Sequence, residues 1–193
     1  MPTDARREQL LDAALAIIAR QGYAAVSVEA IAREVDVTRP VVYNVFDDLD
    51  ALLRALLDRQ ERRALDQLSA RIAMPADLAD LGGYLGSVIR DLVAMVRADP
   101  LTWTPIFLPV TGTPGAVRGR IERDREIVRK RVQNLVGAAV VMGVIPAAID
   151  AEVASHALIG LGEYFGRLLL ERPEAVDVDR LVSTLTAVVG LGS

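Results

Sequence analysis

From Asp4 to Gln21 the apolar residues Leu10, Leu11, Ala14, Ile17 and Ile18 recur at helical spacing, the stripe of an amphipathic helix. Gly22 follows where a helix end favours a residue free to take positive φ. Tyr23 and Val26 can anchor the corner. Ser27 then offers a side-chain oxygen as cap for a second helix, Val28 to Val35, with Glu29 in its first turn complementing the dipole. Asp36-Val37 is a tight turn, and Thr38 is a second candidate cap. Pro40 sits in the first turn of a third helix, Arg39 to Phe46, where no intrahelical N–H is needed. Three helices in this span, the last two joined by so short a turn, predict a helix-turn-helix.

Beyond Asp48 the stripe Leu49, Leu52, Leu53, Leu56, Leu57, Leu65, Leu68 and Ile72 predicts one long helix ending before Pro75. Further helices are expected over Ala76–Ala98, Ala116–Met142, Ala151–Glu171 with Asp150 as cap, and Asp177–Val189. Leu101–Leu108 is a short apolar piece bracketed by prolines, and 109–115 reads as a surface loop. The pattern is all-α. An N-terminal three-helix helix-turn-helix domain, 1–48, joins a C-terminal helical bundle, 49–193, that would hold an effector pocket and a dimer interface.

Composition narrows the chemistry. The chain has no cysteine and one histidine, which removes disulfides, thiol catalysis, Cys-based zinc sites and multi-histidine metal sites. Acidic pairs such as Asp47-Asp48 and Glu122/Asp124 come without a nucleophile-base set or a phosphate loop, so neither catalytic residues nor a cofactor or metal are expected. No signal-peptide pattern opens the chain, and the longest apolar run, Val136–Ile149, is too short to span a bilayer. A soluble cytoplasmic protein with no membrane partner is the expectation. The net charge is −4, and residues 1–50 carry all of it, with five arginines against nine carboxylates. The candidate DNA-binding half is therefore the acidic one, which weakens non-specific attraction to phosphate.

Within 27–53, Ile31, Ala32, Val37, Val42 and Phe46 are spaced to pack the two short helices on the first. That leaves Thr38, Arg39, Pro40, Val41, Tyr43 and Asn44 facing outward. Such a face suits the major groove of double-stranded DNA: arginine can read guanine, asparagine adenine, and valine a thymine methyl. Tyr43 suits a phosphate. A generic bundle with a polar surface helix is the alternative. The string from Ala30 to Phe46, followed by Asp50-Ala51-Leu52-Leu53, resembles the helix-turn-helix signature of the TetR family of transcription regulators. Three positions depart from it: Asp36 stands for a usual glycine, Val45 for His or Tyr, and Leu49 for a frequent lysine. The resemblance implies a regulator, a repressor released from a palindromic operator by a small, mostly apolar effector, with Arg6, Arg7, Ser27 and Arg33 joining the DNA contacts. The acidic first half keeps a second possibility open, a TetR-like ligand-binding module with weak or lost DNA binding.

The same resemblance implies an effector pocket among the central helices. Tyr84, Met95, Trp103, Phe107, Met142 and Tyr164 are its candidates, with plain core packing as the alternative for each, and His156 could be a polar handle or a surface residue. Arg118–Arg131 is rich in basic residues and reads as a solvated helix face. Ala154, Ala157, Gly160, Leu161, Phe165 and Leu168 on the penultimate helix, with Leu181, Leu185 and Val189 on the last, suit a four-helix interface across the two-fold axis of a homodimer.

Overall fold

In a computed structural model, which describes residues 3–71, 81–107 and 115–188, the described residues form helices joined by short turns and contain no strand. The helices are α1 (Thr3–Gln21), α2 (Val28–Glu34), α3 (Arg39–Tyr43), α4 (Leu49–Arg71), α5 (Leu81–Ala98), α6 (Pro100–Phe107), α7 (Gly115–Val141), α8 (Ala151–Glu171) and α9 (Val178–Val188). The expected all-α class stands. Ile72, the start expected for α5 at Ala76, and most of the 109–115 loop lie outside the described residues. Two compact units emerge, Met1–Leu65 with Leu101–Glu122, and Asp66–Pro100 with Arg123–Ser193.

The first unit is built on α1. Its buried face, Leu10, Leu11, Ala14, Ile17 and Ile18, joins Ile31 and Ala32 of α2, Val42 of α3, Leu52, Leu53 and Leu56 of α4, and Ile121 of α7 in one apolar cluster. Gly22 ends α1 at φ 78, and Asp36 takes φ 52 in the turn between α2 and α3. A short aspartate tolerates that left-handed position better than a branched residue would. Arg59 of α4 is 6% exposed and clasps Glu8 and Asp12 of α1 at 2.7 and 2.8 Å.

The prolines of α6 decide how it joins this unit. Pro105 has no N–H, so the Leu101 carbonyl, four residues back, loses its helical partner; Gln60 of α4, fully buried, donates its Nε2 to that oxygen at 3.0 Å. The Pro105 carbonyl is orphaned in turn, because residue 109 is also a proline, and the buried Tyr23 hydroxyl donates to it at 3.1 Å. Two freed carbonyls thus attach α6 to α4 and to the corner after α1. Tyr23→Phe strips a buried acceptor of its donor, and urea melts should show a loss of about 1–3 kcal/mol. An unchanged midpoint would mean that the carbonyl is wetted instead.

The second unit holds α5, α8 and α9 together. α9 lies along α5, where Val182 meets the space left by Gly86: a Cβ added there would stand 3.0 Å from the valine. Arg97 of α5 donates to the Val176 carbonyl at 2.8 Å and the Pro173 carbonyl at 3.1 Å. Asp150 and Asp177 cap α8 and α9, accepting from Val153 N at 3.0 Å and Arg180 N at 3.1 Å. Arg129 of α7 pairs with Glu126 and reaches the buried Ser155 of α8 at 3.1 Å, and Arg125 meets Glu163 at 2.9 Å. The basic run of α7 is therefore partly spent on α8 and, through Arg120 with Asp58 and Glu61, on α4.

Candidate nucleic-acid interface

Each end of the helix pair has a local cause. Ser27 caps α2 as expected, its Oγ accepting from Ala30 N at 3.1 Å. That use leaves it half-buried and structural. Thr38 does not cap with its side chain. Its backbone takes the extended cap conformation, but Pro40 has no N–H to give and Val41 N bonds the Thr38 carbonyl at 3.0 Å, so both donors a cap would meet are gone. The hydroxyl stays on the exposed side.

The helix α3 is shorter than the expected Arg39–Phe46. It closes at Tyr43, where Val45 N turns to the Val42 carbonyl three residues back, at 3.0 Å, and the last turn tightens. Phe46 N still reaches Val42 O at 3.0 Å. Val42 and Phe46 are buried, at 1% and 5% exposure. Thr38, Arg39, Pro40, Tyr43 and Asn44 are exposed and Val41 is half-buried, so the predicted outward face exists.

Around it Arg39, Arg7 and Arg6 are already engaged. Arg39 Nη1 lies 2.9 Å from Glu29 Oε1 of α2, both side chains about half exposed. The Tyr43 hydroxyl, accepting from Arg39, and the Glu29 carboxylate beside it hold the guanidinium above its ordinary pKa range. The Arg7 guanidinium stacks 4.6 Å over the Phe46 ring. Arg6 donates to Gln9 Oε1 at 2.6 Å, and Arg33 is exposed on α2. Glu29 has no place among the sequence-derived site residues. Ten positions separate it from Arg39, and only the turn brings them together.

The effector candidates are divided between the two units. Trp103 and Phe107 stack in the first unit, with ring centroids 5.7 Å apart. The others belong to the second unit, where Met95 is core at 1% exposure and Tyr84 is half-buried on α5. Met142, just past α7, and Tyr164 are 57% and 53% exposed, and His156 is also exposed, so these three do not line an enclosed cavity within the single chain. Tyr164 stands on the face of α8 opposite the buried Ser155, Gly166 and Leu169.

On that face Val153, Ala157, Gly160, Leu161 and Tyr164 form an exposed row, with Val153 at 66% and Leu161 at 41%. Ala154, Phe165 and Leu168 are half-buried at its edges. On α9, Leu181 and Leu185 are half-buried beside the buried Val182, and the apolar side of the helix is turned onto α5. The exposed positions of α9 are Asp179, Arg180, Ser183, Thr184 and Ala187, and Val189 lies outside the described residues. Among the described residues there is no group of three or more metal-ligating side chains, and no helix is long and apolar enough to cross a membrane.

Residues 10–56 match the model of the bacterial regulatory proteins of the tetR family. No curated protein matches the chain. Among solved structures, a TetR-like transcriptional regulator from Rhodococcus sp. RHA1 superposes with a TM-score of 0.73 at 20% identity, covering 98% of this chain and 96% of that one. AibR, solved with isovaleryl coenzyme A and operator DNA, gives a TM-score of 0.73 at 18% identity over 95% and 97% of the two chains. FadR from Bacillus subtilis, solved with stearoyl-CoA, gives 0.71 at 18% over 94% and 96%. At these identities the likeness establishes the fold.

Proposed function

Because residues 10–56 match the model of the tetR family of bacterial regulatory proteins, we propose that the chain is a homodimeric repressor of that kind, one that leaves a palindromic operator when a small, mostly apolar effector binds. The observation that carries this reading is the exposed α3, with Arg39, Tyr43 and Asn44 outward and Val42 and Phe46 holding it to the core. Arg39 and Asn44 are assigned to base edges, Val41 to a thymine methyl, and Tyr43, Thr38, Pro40, Arg6, Arg7 and Arg33 to the phosphate backbone and its surroundings. Ser27 supports them by fixing the start of α2. The row on α8 is assigned to the dimer contact, which would set two recognition helices about one DNA turn, ~34 Å, apart. Two fold relatives were solved with coenzyme A thioesters, which makes an acyl-CoA the effector class to test first. Its acyl chain meets the apolar requirement, and Trp103 and Phe107 are the side chains assigned to receive it.

Selection of random duplexes by the purified protein tests this reading. An enriched palindrome whose binding weakens steeply with salt and is released by isovaleryl- or stearoyl-CoA supports it. A second reading, a ligand-binding module with little DNA affinity, is favoured by the nine carboxylates against five arginines in residues 1–50 and by the pairing of Arg39 with Glu29. Failure to enrich any sequence at any ionic strength, with a thermal shift on adding the thioester, selects it.

A further inference from the structure

We propose that Glu29 is a positioning residue of the DNA-reading face, one that holds Arg39 in a single orientation and keeps it from acting as an indiscriminate phosphate ligand. The inference rests on the DNA-binding reading above and goes one step beyond it. Two independent local features bring the pair together. The Ser27 cap fixes Glu29 in the first turn of α2, and Pro40 fixes the start of α3 with Arg39 immediately before it. The turn through Asp36 then sets the carboxylate 2.9 Å from Arg39 Nη1.

An exposed ion pair adds little to stability, so the consequence of this one lies in where it puts the guanidinium. Arginine has five N–H donors in a rigid fork. In this protein one of its nitrogens, Nη1, is held by Glu29 at 2.9 Å. The donors that remain are enough for the paired O6 and N7 acceptors of a guanine. A guanidinium free to swing would instead find the nearest phosphate, a contact that is strong, blind to sequence and paid back in released counterions. Glu29 also sets a negative charge in the first turn of α2, the helix that crosses the DNA backbone in this motif. Both effects suppress random binding more than selective binding. The acidic balance of the first fifty residues then works as discrimination as well as a loss of affinity.

The test uses the full-length dimer, a random-sequence duplex and the duplex recovered by selection, with anisotropy titrations across a salt series for the wild type, Glu29→Gln, Arg39→Ala and the double variant. Glu29→Gln should bind the random duplex about tenfold tighter at low salt, with a log–log salt slope steeper by about one phosphate contact. The ratio of selected to random affinity should fall about tenfold, and adding Arg39→Ala should remove the gain. Selective binding by the wild type with an unchanged ratio in Glu29→Gln overturns the positioning role alone. A gain that survives in the double variant also overturns it, because Glu29 would then act only as a bare charge. If neither the wild type nor Glu29→Gln binds either duplex, the DNA-binding reading falls and takes this inference with it. Glu29 is half exposed, so an unchanged circular-dichroism melt confirms that the variant is folded.

Discussion

Leu161→Arg is expected to yield a monomer that has lost operator binding by about a hundredfold or more, because two half-sites joined through a dimer gain at least that much from effective concentration. The side chain is 41% exposed in the single chain, on a row with Val153, Gly160 and Tyr164. A charge there costs a single chain little, but it would cost a two-fold interface twice over, since such an interface takes in the substitution once from each copy. Gly160 adds weight to this surface, because an added Cβ would meet nothing within 4 Å and a partner helix could come close. Sedimentation velocity reads the mass and anisotropy reads the binding. A variant that stays dimeric with a normal thermal midpoint removes α8 from the interface, whatever its effect on DNA.

Phe46→Ala should cost roughly 3–5 kcal/mol of stability, the range for a large aromatic lost from a close-packed core. Phe46 is 5% exposed in the cluster that joins α1, α2 and α4. Its ring carries the Arg7 guanidinium at 4.6 Å, and its N–H closes the last turn after α3. The truncation therefore loosens the seat of the recognition helix as well as the core. Denaturant unfolding measures the loss, and a change of under about 1 kcal/mol would show that the site collapses to fill the gap or was never well packed. Tyr43→Phe, at the exposed end of α3, removes one exposed hydroxyl and should leave stability within about 0.5 kcal/mol.

Much of the helix-turn-helix was legible from residue order. The stripe on α1, the Ser27 cap, the tolerance of Asp36 for positive φ, and the division of α3 into Val42 and Phe46 inside and Arg39, Tyr43 and Asn44 outside are local consequences of spacing and side-chain chemistry, and the structure reproduces them. Thr38 was misjudged because a good cap residue needs donors to cap, and Pro40 removes one of them. The attachment of α6 had an unread signal. Pro105 and Pro109 stand four apart and neither has an N–H for the carbonyl four residues before it, so the Leu101 and Pro105 carbonyls must find partners elsewhere.

The surfaces of α8 and α9 show where residue order stops being informative. Both helices carry apolar rows at helical spacing, and periodicity treats them alike. In the fold the row of α9 is used on α5, while that of α8 is left open. The aromatic and methionine candidates divide in the same way, into stacked (Trp103, Phe107), core (Met95) and exposed (Met142, Tyr164) positions.

By itself, then, the order of residues determined the helices, most of their caps and breaks, with Thr38 and the end of α3 excepted, and which side of each is apolar, because those depend on neighbours within a turn or two along the chain. Which apolar sides meet each other, which arginine finds which carboxylate, and which buried amide takes an orphaned carbonyl were decided only in three dimensions. Those choices depend on volume and distance between segments far apart in the chain, and no local period encodes them.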